Sequence, residues 1–263
     1  MLHDLKYVYP VLPAVYNTPF FRVGGSGLAN CLFVYGKAIV RADSEHLKLI
    51  TPTWLNFSIG TYLRGQADKR HYWRLFLHKN EIGGLKKCFL LLFRKKSIIK
   101  ENGIGDFFVP LLGHSEEIRN YLIEHLYPKV FERVEKADFS DCVAVHVRLG
   151  DYPDYLRFPL SWYREKMLKY GAGKRILLFS DGSDDEISDL LKIPNVKRAF
   201  FGNAIADIVA MSRCSFIIGS NSSFSAWAAF LGQVPCCFHQ LQFGQVLDDP
   251  CKQIIEEPFK IKL

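Results

Sequence analysis

Several residues of this 263-residue chain have the types and spacing to hold an anion and stabilise charge on it. His146, Arg148, Gly150 and Asp151 follow the apolar run Val143-Ala144-Val145. Ser180 and Asp181 end a second apolar run. Asn221, Ser222, Ser223 and Phe224 follow a third, Phe216-Ile217-Ile218-Gly219. A guanidinium is a planar fork that can grip two phosphate oxygens at once, and a glycine two residues on lets the backbone turn tightly beside it. Serines that open a helix add hydroxyls to its exposed amides, a ready anion site. A carboxylate only accepts, so Asp181 suits the paired N–H donors of a guanine edge. Each residue also has an ordinary role. Asp181 fits a turn before Gly182, Ser222 a plain helix cap, Asn221 a loop anchor and Arg148 a surface ion pair with Asp151. Their coincidence at the ends of successive strands favours a phosphorylated ligand.

The elements that carry these residues follow from periodicity. Residues 142–148, 174–180, 196–201, 216–219 and 234–238 read as strands. Residues 159–170, 184–191, 204–212 and 222–231 read as helices between them. Strands alternating with helices at these lengths predict a mainly parallel sheet, with ligands at the carboxyl ends of its strands. The first half is less regular. Residues 28–42 carry Leu28, Leu32, Tyr35 and Ile39 at helical spacing after a glycine cluster that includes Gly25 and Gly27. Residues 47–51 read as a short strand. Residues 115–134 read as one helix that Pro128 bends or ends. Residues 52–106 have no assignable pattern. A division at the polar stretch 138–141 separates a domain 1–138 from a domain 139–263.

Composition narrows the class. The chain is 49% hydrophobic and 23% charged, so it builds an ordinary core. Its net charge of +7 fits an anionic small molecule, an anionic membrane surface, nucleic acid, or simple solubility. Seven cysteines, with no Cys-x-x-Cys pair, argue for a reducing compartment and against a disulfide framework or zinc site. The first twenty residues lack the apolar stretch of a signal peptide, and no run is long enough to span a bilayer. The short apolar run 88–93, with Lys86, Lys87, Arg94, Lys95, Lys96 and Lys100 around it, fits a buried element with solvated lysines. Peripheral contact with an anionic membrane is its second reading. No nucleic-acid recognition motif is present, and the glycine cluster does not form a dinucleotide fingerprint.

The segment His146-Val147-Arg148-Leu149-Gly150-Asp151-Tyr152 resembles the His-x-Arg-Arg-Gly-Asp-Tyr motif of glycosyltransferase family 11, the α-1,2-fucosyltransferases. Ile217 to Trp227 is similar to that family's Ile-Ile-Ser-Asn-Ser-Ser-Phe-Ser-Trp-Trp segment, and Phe179-Ser180-Asp181 matches its Phe-Ser-Asp strand end. Ser26-Gly27-Leu28-Ala29-Asn30 is similar, more loosely, to the family's amino-terminal glycine motif. The resemblance implies an α/β, GT-B-like fold of two Rossmann-like halves, the second holding the donor and the first the acceptor. It implies GDP-fucose as donor, a glycan acceptor with the 2-OH of galactose as the receiving group, inversion at the fucose anomeric carbon, no metal and no nucleic acid. It gives catalysis to Arg148, with Asp151 the candidate base. His146, Gly150, Ser180, Asp181, Asn221, Ser222, Ser223 and Phe224 would bind the donor. Gly25, Gly27 and Asn30 would form a donor or acceptor loop. A cytoplasmic enzyme of surface-polysaccharide synthesis is the family-level expectation. The chain departs from the pattern at Leu149, Ala226, Cys31 and Val34. Lower charge at the phosphate, or its supply by Arg22, Arg157 or Arg164, is the expected consequence of Leu149. Transfer from another nucleotide sugar and a weakened nucleotide-sugar binder are the alternatives.

Overall fold

Short, near-continuous apolar runs between helical segments produce parallel strands joined by helices, and the computed structural model of the protein is built from them. It describes residues 6–63, 69–150, 152 and 156–257. The chain forms two compact units, Met1–Pro128 and Lys129–Leu263.

In the first unit, β1 (Tyr7–Pro10) is followed by β2 (Tyr16–Asn17), β3 (Arg22–Val23), the long helix α1 (Leu28–Ser44), β4 (Lys48–Leu49) and β5 (Asn56–Phe57). Then come α2 (Ile59–Leu63), α3 (Gly84–Phe93), β6 (Ile98–Glu101) and α4 (Ser115–Glu124). The strands form two small sheets, β4-β1-β6 and β2-β3-β5. Helix α1 buries Cys31, Leu32, Phe33, Val34 and Tyr35, so positions 31 and 34, where the family motif carries glutamines, serve the core here. Much of the remaining chain is irregular, and side chains satisfy part of its backbone. The fully buried Arg22 donates through Nε to the Thr53 carbonyl (2.6 Å) and through Nη1 to the Pro13 carbonyl (2.8 Å). Lys87, 4% exposed, donates to Thr53 Oγ1 at 2.9 Å. Burial pulls its ammonium pKa down to about 8.

The second unit follows α5 (Pro128–Glu135). It contains β7 (Cys142–Val147), α6 (Leu160–Tyr170), β8 (Arg175–Ser180), α7 (Ser188–Leu191), β9 (Val196–Arg198), α8 (Ala204–Ser212), β10 (Phe216–Gly219), α9 (Ser223–Gly232), β11 (Cys236–Phe238) and β12 (Gln253–Ile255). Six strands form one sheet in the order β12-β11-β10-β7-β8-β9, and every pairing is parallel. All six residues of β7 are buried, as a central strand covered on both faces requires. Val143, Val145, Val147 and then Leu149 join a core cluster with Trp162, Met167, Ile176 and Leu178. The alternate positions, including His146, therefore face the other side of the sheet.

Three expectations change. Residues 115–134 are two helices, because Pro128 starts α5 and a proline lacks the N–H an interior helical position needs. Helix α5 packs in the second unit. Asn203 donates to the Val130 carbonyl (3.2 Å) and Arg213 lies 4.8 Å from the Phe131 ring centre, so the units part at 128/129, ahead of 138/139. The run 88–93 is only partly buried: Leu90 joins the core, Phe89, Leu92 and Phe93 face solvent, and the neighbouring Lys87 is inside. No described helix is long and apolar enough to cross a membrane.

Candidate functional site

The sheet order places the tips of β10, β7 and β8 side by side, and register pairs Ile218 with Val145 and Val147 with Ser180. The chain just beyond these three tips carries the candidate residues, and side-chain contacts tie them together. Arg148 Nη1 contacts Asp181 Oδ2 at 2.6 Å, with both side chains 20% exposed. The Leu149 amide donates to Asp181 Oδ1 at 2.9 Å. Both oxygens of Asp181 therefore face the β7 tip, where the sequence reading gave them to a guanine edge. Asp181 also explains Gly150: a Cβ there would lie 2.0 Å from Asp181 Oδ2.

Tyr152 links this tip to the next. Arg148 lies with its guanidinium carbon 5.2 Å from the Tyr152 ring centre, and the Tyr152 hydroxyl donates to the Asn221 carbonyl at 3.0 Å. Asn221 immediately precedes the α9 turn. Its Oδ1 accepts from the Gln242 amide (2.9 Å), which anchors the loop after β11. Its Nδ2 is buried with no hydrogen-bond partner among the described residues. Ser222 caps α9, with Oγ accepting from the Phe224 amide at 3.3 Å. Ser223 and Phe224, half-buried, begin the helix, whose first amides and dipole favour an anion.

Behind this edge is a buried polar chain. His146 Nδ1 and Ser220 Oγ share a hydrogen bond of 3.0 Å, and the His146 ring lies 5.1 Å from that of Phe224. Burial, reinforced by the Arg148 charge, lowers the His146 pKa to about 3, so the imidazole is neutral at physiological pH. A neutral, enclosed ring orients its neighbours and is poorly placed to shuttle protons. Burial also raises the pKa of Tyr163, which hydrogen-bonds Ser220. Ser180 Oγ accepts from the Gly182 amide at 3.0 Å, forming the turn after β8.

Two arginines hold the loops of this edge. Arg157 donates to the carbonyls of Tyr152 (2.9 Å) and Gly150 (3.1 Å). Arg198 donates to those of Gly182 (2.6 Å) and Ser180 (3.2 Å). Tyr152, Tyr163 and Arg198 have no role in the sequence analysis, and Arg157 stands there only as a possible source of charge at the phosphate. Only Tyr152 had a signal, its place in the 146–152 segment. Of the three arginines named as substitutes for position 149, Arg22 is buried in the first unit, Arg157 serves backbone carbonyls and Arg164 is exposed on α6. Leu149 itself belongs to the core cluster, and Ala226, beside the retained Trp227, is fully buried in α9. These departures from the family pattern are packing positions in this chain. Asp151 lies outside the described residues. Gly25, Gly27 and Asn30 open α1 in the first unit. Gly25 has a positive φ of 97°, and a Cβ there would meet the Pro13 carbonyl at 2.3 Å.

No family model matches the chain. Over 159 residues, 55% of this chain and half the length of the relative, it is 26% identical to the O-antigen biosynthesis glycosyltransferase WbnK of Escherichia coli. Its fold is that of the fucosyltransferase NodZ. Against NodZ α-1,6-fucosyltransferase soaked with GDP-fucose, the TM-score is 0.55 at 16% identity, covering 88% of this chain and 93% of that one. Against NodZ from Bradyrhizobium it is 0.56 at 15% identity, covering 88% and 94%. The α/β, GT-B-like class with mainly parallel sheets is therefore established, and the chain is related to a glycosyltransferase.

Proposed function

We propose that the chain is a fucosyltransferase that takes GDP-fucose as donor and moves fucose, with inversion, to a glycan hydroxyl. The observation that carries this reading is the grouping at the strand tips. Arg148 is held by Asp181 on one side and by Tyr152 on the other, and Tyr152 reaches the Asn221 carbonyl at the opening of α9. The guanidinium, the helix opening and the buried Asn221 amide are the groups that this reading assigns to a diphosphate. The similarity to WbnK supports glycosyl transfer, and the fold shared with NodZ supports GDP-fucose as the donor.

In the reaction the acceptor oxygen bonds to the anomeric carbon as the bond from that carbon to the β-phosphate oxygen breaks. The electron pair leaves on GDP, and the acceptor proton passes to a base, for which Asp151 is the candidate by motif position. Negative charge grows on the departing diphosphate. Arg148 and the α9 amides meet it where it develops, so they stabilise the transition state more than the ground state. Asp181 positions Arg148, and neutral His146 backs the site through Ser220 without taking the proton. The positive charge at the phosphates comes from the protein, and a chelator is expected to leave transfer unchanged. The resemblance of segments 146–152 and 217–227 supports the 2-OH of galactose as the receiving hydroxyl. The core positions of Leu149 and Ala226 support an active enzyme over a weakened binder.

The test has two steps. A thermal-shift panel of GDP, UDP, CDP and NADH is expected to show selective stabilisation by GDP, since a ligand stabilises only the state it binds. Release of GDP from GDP-fucose with galactoside acceptors, with and without EDTA, then reads transfer, and NMR of the product reads the linkage. A preference for UDP or NADH overturns the donor assignment.

A further inference from the structure

Helix α3 is folded inside out for a water-facing helix. Its buried residues are Lys87 and Leu90, and Lys87 is fixed inward by Thr53 Oγ1 (2.9 Å) and by the Tyr9 ring, whose centre lies 5.3 Å from Nζ. The outward side carries Leu85 (87% exposed), Phe89, Leu92 and Phe93 (71% exposed). Their spacing of four, three and one puts them on a single stripe of the helix, and the rings of Phe89 and Phe93 lie 5.3 Å apart. Four large apolar side chains side by side in water mark a contact surface.

Charge identifies what the surface meets. Lys86, Arg94, Lys95, Lys96 and Lys100 are exposed along and just beyond α3, and residues 82–100 contain no aspartate or glutamate. Past the end of the helix, residues 92–97 line a shallow hollow of about 470 Å³ with three of these cations on its wall. An apolar stripe rimmed by cations matches the boundary of an anionic bilayer, where apolar groups enter the acyl region and cations meet lipid phosphates. A second copy of the chain fits less well. A self-complementary contact would set this acid-free basic stretch against itself.

We propose that α3 and the basic turn after it dock this protein, without insertion across the membrane, on a bilayer containing anionic phospholipid. The proposal is independent of the donor and acceptor assigned above, and its test reads binding alone. The full chain is sedimented with vesicles of phosphatidylcholine, or of phosphatidylcholine mixed with phosphatidylglycerol. Binding to the mixed vesicles is expected, at least about tenfold above binding to phosphatidylcholine alone and reduced by raised salt. Phe89→Ser with Phe93→Ser, and separately Lys95→Glu with Lys96→Glu, each lower that binding by about tenfold or more. These side chains are exposed, so circular dichroism and Tm should match the parent and exclude unfolding as the cause. Equal binding to both vesicle types, no binding, or binding unchanged in either variant overturns the proposal. So does a dimer in light scattering that the phenylalanine pair dissolves, which assigns the stripe to a second copy.

Discussion

The two units use buried charge for opposite ends. In the first, Arg22 and Lys87 lie inside, neither paired with a carboxylate among the described residues, and both reach Thr53. In the second, the sheet satisfies its own backbone. Its arginines stay at the rim, where Arg157 and Arg198 hold loop carbonyls and Arg148 meets Asp181 in partial contact with water. A regular parallel sheet pairs each N–H with a carbonyl along its ladders. Irregular chain must find other donors, because an unpaired buried carbonyl costs free energy. Short ladders in the first unit leave Pro13 and Thr53 to Arg22, whereas the second unit leaves Arg148 at the rim, where the proposed function uses it.

The sharpest test of this contrast pairs two arginines. Arg148→Ala is expected to lower GDP release from GDP-fucose by on the order of 10²–10³. It should change stability in urea by no more than about 1 kcal/mol, as a partly exposed ion pair would. Arg148→Lys should lose most of the activity too, since an ammonium lacks the fork. Arg22→Ala should do the reverse. It strands the buried Thr53 carbonyl and the part-buried Pro13 carbonyl and is expected to cost roughly 2–5 kcal/mol in urea unfolding. Similar stability losses in both variants would dissolve the distinction.

Lys87 sharpens it through pH. Its pKa is about 8 in the folded chain, against 10.5 for a lysine in water, so between these values the unfolded chain holds a proton that the folded chain has lost. Stability from this group therefore rises as pH goes from about 8 toward 10.5, and is flat below. Urea midpoints compared between the parent and Lys87→Met should diverge across that window in favour of the parent at high pH. Parallel pH curves would remove Lys87 from the account. The smallest effect concerns the second unit's own joints. Asn203 caps α8 by accepting from the Ala206 amide (3.0 Å) and holds α5 through the Val130 carbonyl, so Asn203→Ala should cost about 1 kcal/mol in thermal unfolding.

Legibility in the sequence followed the same divide. Residues 204–212 and 216–219 read from periodicity are α8 and β10 as observed. The expected helix at 184–191 shrinks to α7, since its first residues form turns held by Ser183 and Glu186. β12 escaped detection because three residues at a sheet edge carry too little pattern, and it exists through pairing with β11. In 52–106, helix α3 shows an apolar run that periodicity cannot orient. The run reads the same whether its phenylalanines face the core or water.

The sequence by itself determined the order of strands and helices in 142–238 and which residues stand just past each strand. Those features follow from backbone geometry over a few residues. Only tertiary structure decided whom those residues touch. Asp181 turns to Arg148, the Tyr152 hydroxyl crosses 69 positions to Asn221, and Leu149 falls on the packed face of the sheet. Such choices depend on sheet register and on burial across distant segments, and no local period encodes them.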